Sequence, residues 1–173
     1  MAIVTGSVTP GLNFLQTPAN AVISGTSIPI PLTIGVKFAN GTAADQIDLV
    51  YANRLTFVSA TLQTLDLTAL TDVLGAAVNF ARVKFLAVKI YTQTDAASLT
   101  LGAAAANPWA AIWGATGTHV VFPSSAGNPD AGWFIADAPN TTGMVVSGAS
   151  KVLKLLPSAH AFTCDVVIAG CSV

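Results

Sequence analysis

The chain contains no glutamate, and charged residues of every kind make up only 9% of its 173 residues, against about 25% in an average soluble protein. Its acids are all aspartate, and the formal net charge is −1. Glu and Lys favour exposed helices, whereas Val, Ile, Thr, Tyr and Phe favour strands, so this bias argues for β structure. No run of Lys or Arg occurs. That excludes the basic footprint needed to displace counterions from phosphates, and no nucleic acid is expected as a partner. Long apolar runs are missing too. Hydrophobic residues reach 53% and the mean hydropathy is +0.66, yet no stretch approaches the ~18 apolar residues of a spanning helix. The longest candidate, residues 79–90, carries Arg82, Lys84 and Lys89. Met1 to Val4 is followed by Thr5, Gly6, Ser7 and Pro10, without a basic start or a long apolar core, so no signal peptide and no membrane partner are expected.

Cysteine is scarce: Cys164 and Cys171 are the only two. If residues 162–169 form one strand, the residues between the thiols span about 23 Å, whereas a disulfide needs Cα atoms within about 7 Å. An intrachain bond would require a sharp reversal at Gly170. Free thiols, as in a protein made in cytoplasm, are the expected state.

Groups that carry chemistry are equally sparse. The two histidines, His119 and His160, sit beside or within expected strands, and no nucleophile elbow, zinc-protease helix or phosphate loop occurs. His160 and Cys164 would share a strand face but lie about 13 Å apart. Asp45 with Asp48, and Asp130 near Asn128, lack the dense oxygen spacing of a calcium loop. The sequence therefore predicts no enzyme, no catalytic, cofactor-binding or metal site, and no cofactor. Asn40-Gly41-Thr42 and Asn140-Thr141-Thr142 match the glycosylation triplet but read as turn chemistry.

What the chain does have is a succession of short apolar segments between turn clusters. Residues 1–31 are rich in Gly, Pro, Ser, Thr and Asn, and Pro29-Ile30-Pro31 cannot supply a full ladder of donors. This predicts an extended N-terminal arm or an edge segment, either an ordinary first edge strand or an arm reaching a neighbouring subunit. Residues 32–173 are expected to form one β-sandwich domain. Leu32 to Phe38 reads as a strand closed by Asn40-Gly41. Ile47, Leu49, Tyr51, Leu55 and Phe57 alternate with Gln46, Asp48, Arg54 and Thr56, which predicts one strand, or two with a break near Asn53. Residues 70–75 predict a compact turn or one helical turn stopped by Gly75. Phe80 to Tyr91 predicts a strand solvated at the Arg82 and Lys84 end and covered at the other. Asn107-Pro108 through Gly114 predicts a short helix with an Asn cap, placing Trp109 and Trp113 on one face. That pair fits a plug at the end of a sandwich; a carbohydrate-stacking platform is the alternative. Further strands are expected at 98–101, 119–122, 132–136, 144–147, 152–156 and 161–168. The spacing predicts an all-β, antiparallel, jelly-roll-like β-sandwich with one or two short helical turns. A surface so poor in charge is either simply Ser, Thr, Asn, Gly and Ala, or is covered in an assembly.

Residues 40–46 (Asn-Gly-Thr-Ala-Ala-Asp-Gln), 65–67 (Leu-Asp-Leu), 70–75 (Leu-Thr-Asp-Val-Leu-Gly) and 80–84 (Phe-Ala-Arg-Val-Lys) are distinctive together. With 106–109 (Ala-Asn-Pro-Trp) and 165–170 (Asp-Val-Val-Ile-Ala-Gly), they resemble small structural proteins of tailed bacteriophages, of the cement or decoration type. The likeness runs from about Phe38 to the C terminus and leaves residues 1–37 unmatched. After Thr118 the relatives tend toward a Pro-Gly-Gly turn, where this chain has Pro123-Ser124-Ser125-Ala126-Gly127. The resemblance implies a virion protein made in the host bacterial cytoplasm and placed on the outer surface of the capsid. Its implied partners are the major capsid protein and itself, as a homodimer or homotrimer. A tail, connector or fibre component is a second reading. A lectin-like module using Trp109, Trp113 or Trp133 is a third.

Overall fold

The computed structural model describes residues 6–8, 11–16, 28–33, 36–72, 75–91, 98–114, 120–123, 132–158 and 161–173. They form strands β1 (Gly6–Val8), β2 (Gly11–Gln16), β3 (Ile28–Thr33), β4 (Val36–Asn40), β5 (Gln46–Ile47) and β6 (Leu49–Phe57). There follow β7 (Gln63–Asp66), β8 (Leu70–Thr71), β9 (Ala77–Val78), β10 (Arg82–Tyr91) and β11 (Ser98–Ala103). The last are β12 (Val120–Pro123), β13 (Trp133–Asp137), β14 (Met144–Val145), β15 (Val152–Pro157) and β16 (Phe162–Cys171). The protein is all-β, and among the described residues these strands pair antiparallel except for the short contact of β4 with β5.

Two sheets build the body. The long sheet runs β13-β10-β16-β6, with β14 beside the start of β10, and the second runs β12-β11-β15-β7. The pairings nest: β6 meets β16, β7 meets β15, β10 meets β13, and β11 meets β12. Each strand thus alternates an inward with an outward residue, as the period-two pattern of β16 shows. Inward residues of the long sheet include Leu86, Val88, Ile90, Val166 and Ile168; those of the second sheet include Leu99, Leu101, Leu153 and Leu155. All belong to one buried cluster. Each such side chain contributes about 1.5–3 kcal/mol of hydrophobic stabilisation.

Several local expectations fail for identifiable reasons. No helix occurs among the described residues. Asn107 has a φ of 48°, and its carbonyl accepts the N–H groups of Lys151 and Val152. Pro108 bridges Val152 and the Trp109 N–H donates to the Val152 carbonyl. These contacts tie residues 107–109 to β15, which leaves room only for an isolated turn from Ala110 to Gly114 (2.7 Å). Of the compact turn or helical turn expected at 70–75, the described residues show a small hairpin of β8 and β9, with Gly75 at φ 83° and Asp72 Oδ1 accepting the Ala76 N–H; residues 73 and 74 lie outside the described residues.

The alternating segment breaks at Asp48, not near Asn53. Ile47 lies in β5 and packs in a second cluster, with Phe38, Phe85 and Ala169, while Leu49, Tyr51, Leu55 and Phe57 join the main core. The sharp reversal at Gly170 that a Cys164–Cys171 bond would require does not occur: β16 continues to Cys171, and both thiols are free, as expected. A Cβ on Gly170 would lie 2.1 Å from the Arg82 carbonyl, so only glycine lets β10 approach this closely.

The N-terminal strands form separate pairs: β1 with β4, and β2 with β3. Strand β3 crosses the boundary drawn at residue 31. Its Pro29 and Pro31 fit a strand with one neighbour only.

Candidate functional site

The outward face of the long sheet combines two kinds of surface. In register across the strands run Ile135, Ala87, Val167 and Ala52, a row of four apolar residues. Ala52 is exposed and the other three are half-buried. One row further along lie Trp133, Lys89, Asp165 and Arg54. Trp133 is 58% exposed. Arg54 grips Asp165 with two bonds, Nε to Oδ1 at 2.6 Å and Nη2 to Oδ2 at 2.9 Å. The other end of the face is closed: Phe38 and Ile47 from β4 and β5 cover Phe85 and Ala169.

Beside that cover sits the largest departure from expectation. Lys84 was placed at the solvated end of its strand, yet it is fully buried. Register slips between Val83 and Phe85, so Lys84 occupies a bulge in β10. Its Nζ donates to the Ala43 carbonyl. Cys171 lies in the same cradle, with its sulfur 3.5 Å from the Gln46 carbonyl and 3.9 Å from those of Gly41 and Thr42. Burial pushes the Cys171 thiol up, opposed by the positive charges of Lys84 and Arg82 and reinforced by Asp48. The ammonium thus organises the 41–46 loop, whose carbonyls would otherwise be stripped of water without a donor. Alternation gave no sign of this, because a bulge breaks the period on which it depends.

Cys164 is buried in the core, and burial together with the Asp165 charge pushes its thiol up to about 12. Both cysteines are free. Neither is poised as a nucleophile, since the reactive species is the thiolate. Asp48 binds the end of the chain, accepting from the Ser172 N–H at 2.9 Å and its hydroxyl at 2.5 Å. Asp45, at φ 54°, shapes the loop and donates its N–H to the Pro139 carbonyl. His119, His160, Asn128 and Asp130 lie outside the described residues. Among the described residues, no group of three or more His, Cys or Asp side chains could hold a metal ion.

Trp109 and Trp113 are buried in the main cluster, their rings edge to face with centroids 6.1 Å apart. Trp109 Nε1 donates to the Val145 carbonyl at 3.1 Å, and Trp113 stacks on Phe134. Buried rings cannot serve as a sugar platform, which leaves Trp133 as the exposed tryptophan. No protein-family profile, curated protein or solved structure matches the chain.

Proposed function

We propose that this chain is a non-catalytic structural subunit of a tailed-phage particle, of the cement or decoration type. In this reading it clamps neighbouring major capsid subunits from outside the shell. The observation that carries the reading is the half-open apolar row Ile135, Ala87, Val167 and Ala52 on an otherwise regular sheet face. A partner covering that row would gain apolar burial, and in the bordering row the Arg54 and Asp165 charges already satisfy each other. The resemblance of the 40–46, 65–67, 70–75 and 80–84 motifs to phage structural proteins and the charge-poor composition support the same reading.

We read the two sheets as the layers of a β-sandwich of jelly-roll type. The support is the nested pairing of β6 with β16, β7 with β15, β10 with β13 and β11 with β12, as in a long hairpin rolled on itself. This architecture serves capsid and lectin domains alike. The exposed Trp133 favours a lectin-like module as the second reading; a glycan array with Trp133→Ala would separate the two.

The test is binding to emptied capsids. Stoichiometric, saturable attachment that changes little between low and moderate salt is the expected result, since apolar burial is screened far less than ion pairing. Absence of the protein from purified virions would overturn the reading, and labelling confined to the tail would favour a tail or fibre part.

A further inference from the structure

Strand β6 is the outermost strand of the long sheet: β16 pairs with it on one side, and among the described residues no strand pairs with it on the other. The short strand β9 comes near β6 but pairs with β8 instead. Proteins usually blunt such edges by keeping them short or by placing Pro, Lys or a bulge on them. The other outer strands of the two body sheets are blunted in this way: β13 has five residues, β7 four, and β12 four ending in Pro123. β6 has nine residues, no Pro or Lys, and an uninterrupted register with β16 from Leu49 to Phe57. Its one charged side chain, Arg54, is held by Asp165.

The direction of the main-chain groups follows from the ladder. The Ile90 N–H donates to the Gly132 carbonyl on the β13 side, so the groups of Lys89 point the other way, to Asp165 of β16. Carried across β16, this alternation turns Leu55, Asn53 and Tyr51 toward β16 and aims the main-chain groups of Val50, Ala52 and Thr56 at the outer edge. Thr56 agrees, since its carbonyl accepts Gln63 Nε2 at 2.9 Å. That contact plugs one end of the edge and leaves the stretch from Leu49 to Leu55, centred on Ala52.

This stretch is complementary to itself. Turned about a two-fold axis at Ala52, an antiparallel second copy sets Ala52 against Ala52, where small side chains permit a close approach. Leu49 falls opposite Leu55 of the other copy; both are half-buried against the main cluster, so the pairing extends the core from one copy into the next. Arg54 falls opposite Val50 of the other copy, which keeps the two arginines about 13 Å apart along the strands. An axis at Asn53 would reduce that separation to about 7 Å and would need the Thr56 carbonyl that Gln63 holds. The occupant that the edge itself encodes is therefore a second copy, as a two-fold contact requires.

We infer that two copies of this chain join β6 to β6, antiparallel and centred on Ala52, so that their long sheets become one continuous sheet. The inference deepens the structural-subunit reading, whose self-association it specifies.

The test uses the full chain, with mass in solution read by light scattering and fold by circular dichroism. The unaltered chain is expected to dimerise. Ala52→Pro removes the central outward donor, and proline is tolerated where a strand N–H faces away from the sheet. This variant should keep its β spectrum and associate at least about tenfold more weakly. Ala52→Asp and Ala52→Lys alter an exposed side chain, and each alone should associate more weakly, because like charges then stand directly opposite. An equimolar mixture of these two should recover association, since Asp meets Lys when the axis lies at Ala52. If Ala52→Pro does not fold, the Asp and Lys pair gives the reading. A monomeric unaltered chain, folded variants that associate unimpaired, or a mixture that fails to recover would each overturn the inference. No capsid enters these measurements, so their outcome is separate from that of the shell-binding test.

Discussion

Val166 and Val167 are neighbours on β16, yet they belong to different regions of the molecule. Val166 belongs to the main buried cluster and is fully buried. Val167 faces outward in a row that is apolar but half-open. Strand geometry makes the two positions inequivalent, and the contrast shows that apolar character alone does not tell core from contact surface.

The contrast is broken most severely from the inside. Val166→Asp places a carboxylate with no partner in the main buried cluster and is expected to cost more than about 4 kcal/mol, enough to unfold the domain. Circular dichroism and soluble yield would register it. Val167→Asp, one residue on, should cost about 1 kcal/mol or less in chemical denaturation. Equal losses at the two positions would mean that the outer row is core.

A smaller effect is expected at the covered end of the outer face. Lys84→Met keeps the apolar stem but removes the ammonium from the Ala43 carbonyl, and should lower stability by about 1–3 kcal/mol in urea titration. If Lys84→Met is neutral, the ammonium does not hold the 41–46 loop. The exposed rim should respond less again: Arg54→Ala removes a bidentate but solvent-accessible pair and is expected to cost under about 1 kcal/mol, with the difference shrinking in salt.

The last comparison is with the edge of the second sheet, where Asp66 meets Lys151 at 2.8 Å and accepts from the Thr68 hydroxyl and N–H. Burial pushes this carboxyl up, but the Lys151 and Thr68 bonds outweigh it, and the net shift is below the ordinary value of 3.8. A depressed folded-state value means stability that is present above 3.8 and lost as pH falls through the lower folded value. The melting temperatures of the unaltered chain and Asp66→Asn should therefore differ at neutral pH and converge in acid. A constant gap would assign the effect to packing.

Strand propensity, turn clusters and alternation placed most of the body strands in the sequence, because a strand with one face in the core must repeat every second residue. β15 and β16 were legible for this reason. The 107–114 segment misled because an Asn-Pro start and a Gly end describe a helix only when the backbone groups of 107–109 are free, and here β15 takes them. Lys84 was misplaced because its bulge depends on the approach of Gly170 and the overlying 41–46 loop, both distant in sequence.

By itself, the sequence determined that this protein is made of antiparallel strands, since residue type and local period suffice for that. Which outward strand face remains open, which charge is buried and which tryptophan meets solvent were decided by tertiary structure. Each depends on pairing between segments up to 130 residues apart, such as Cys171 with Gly41, and no local pattern encodes such a meeting.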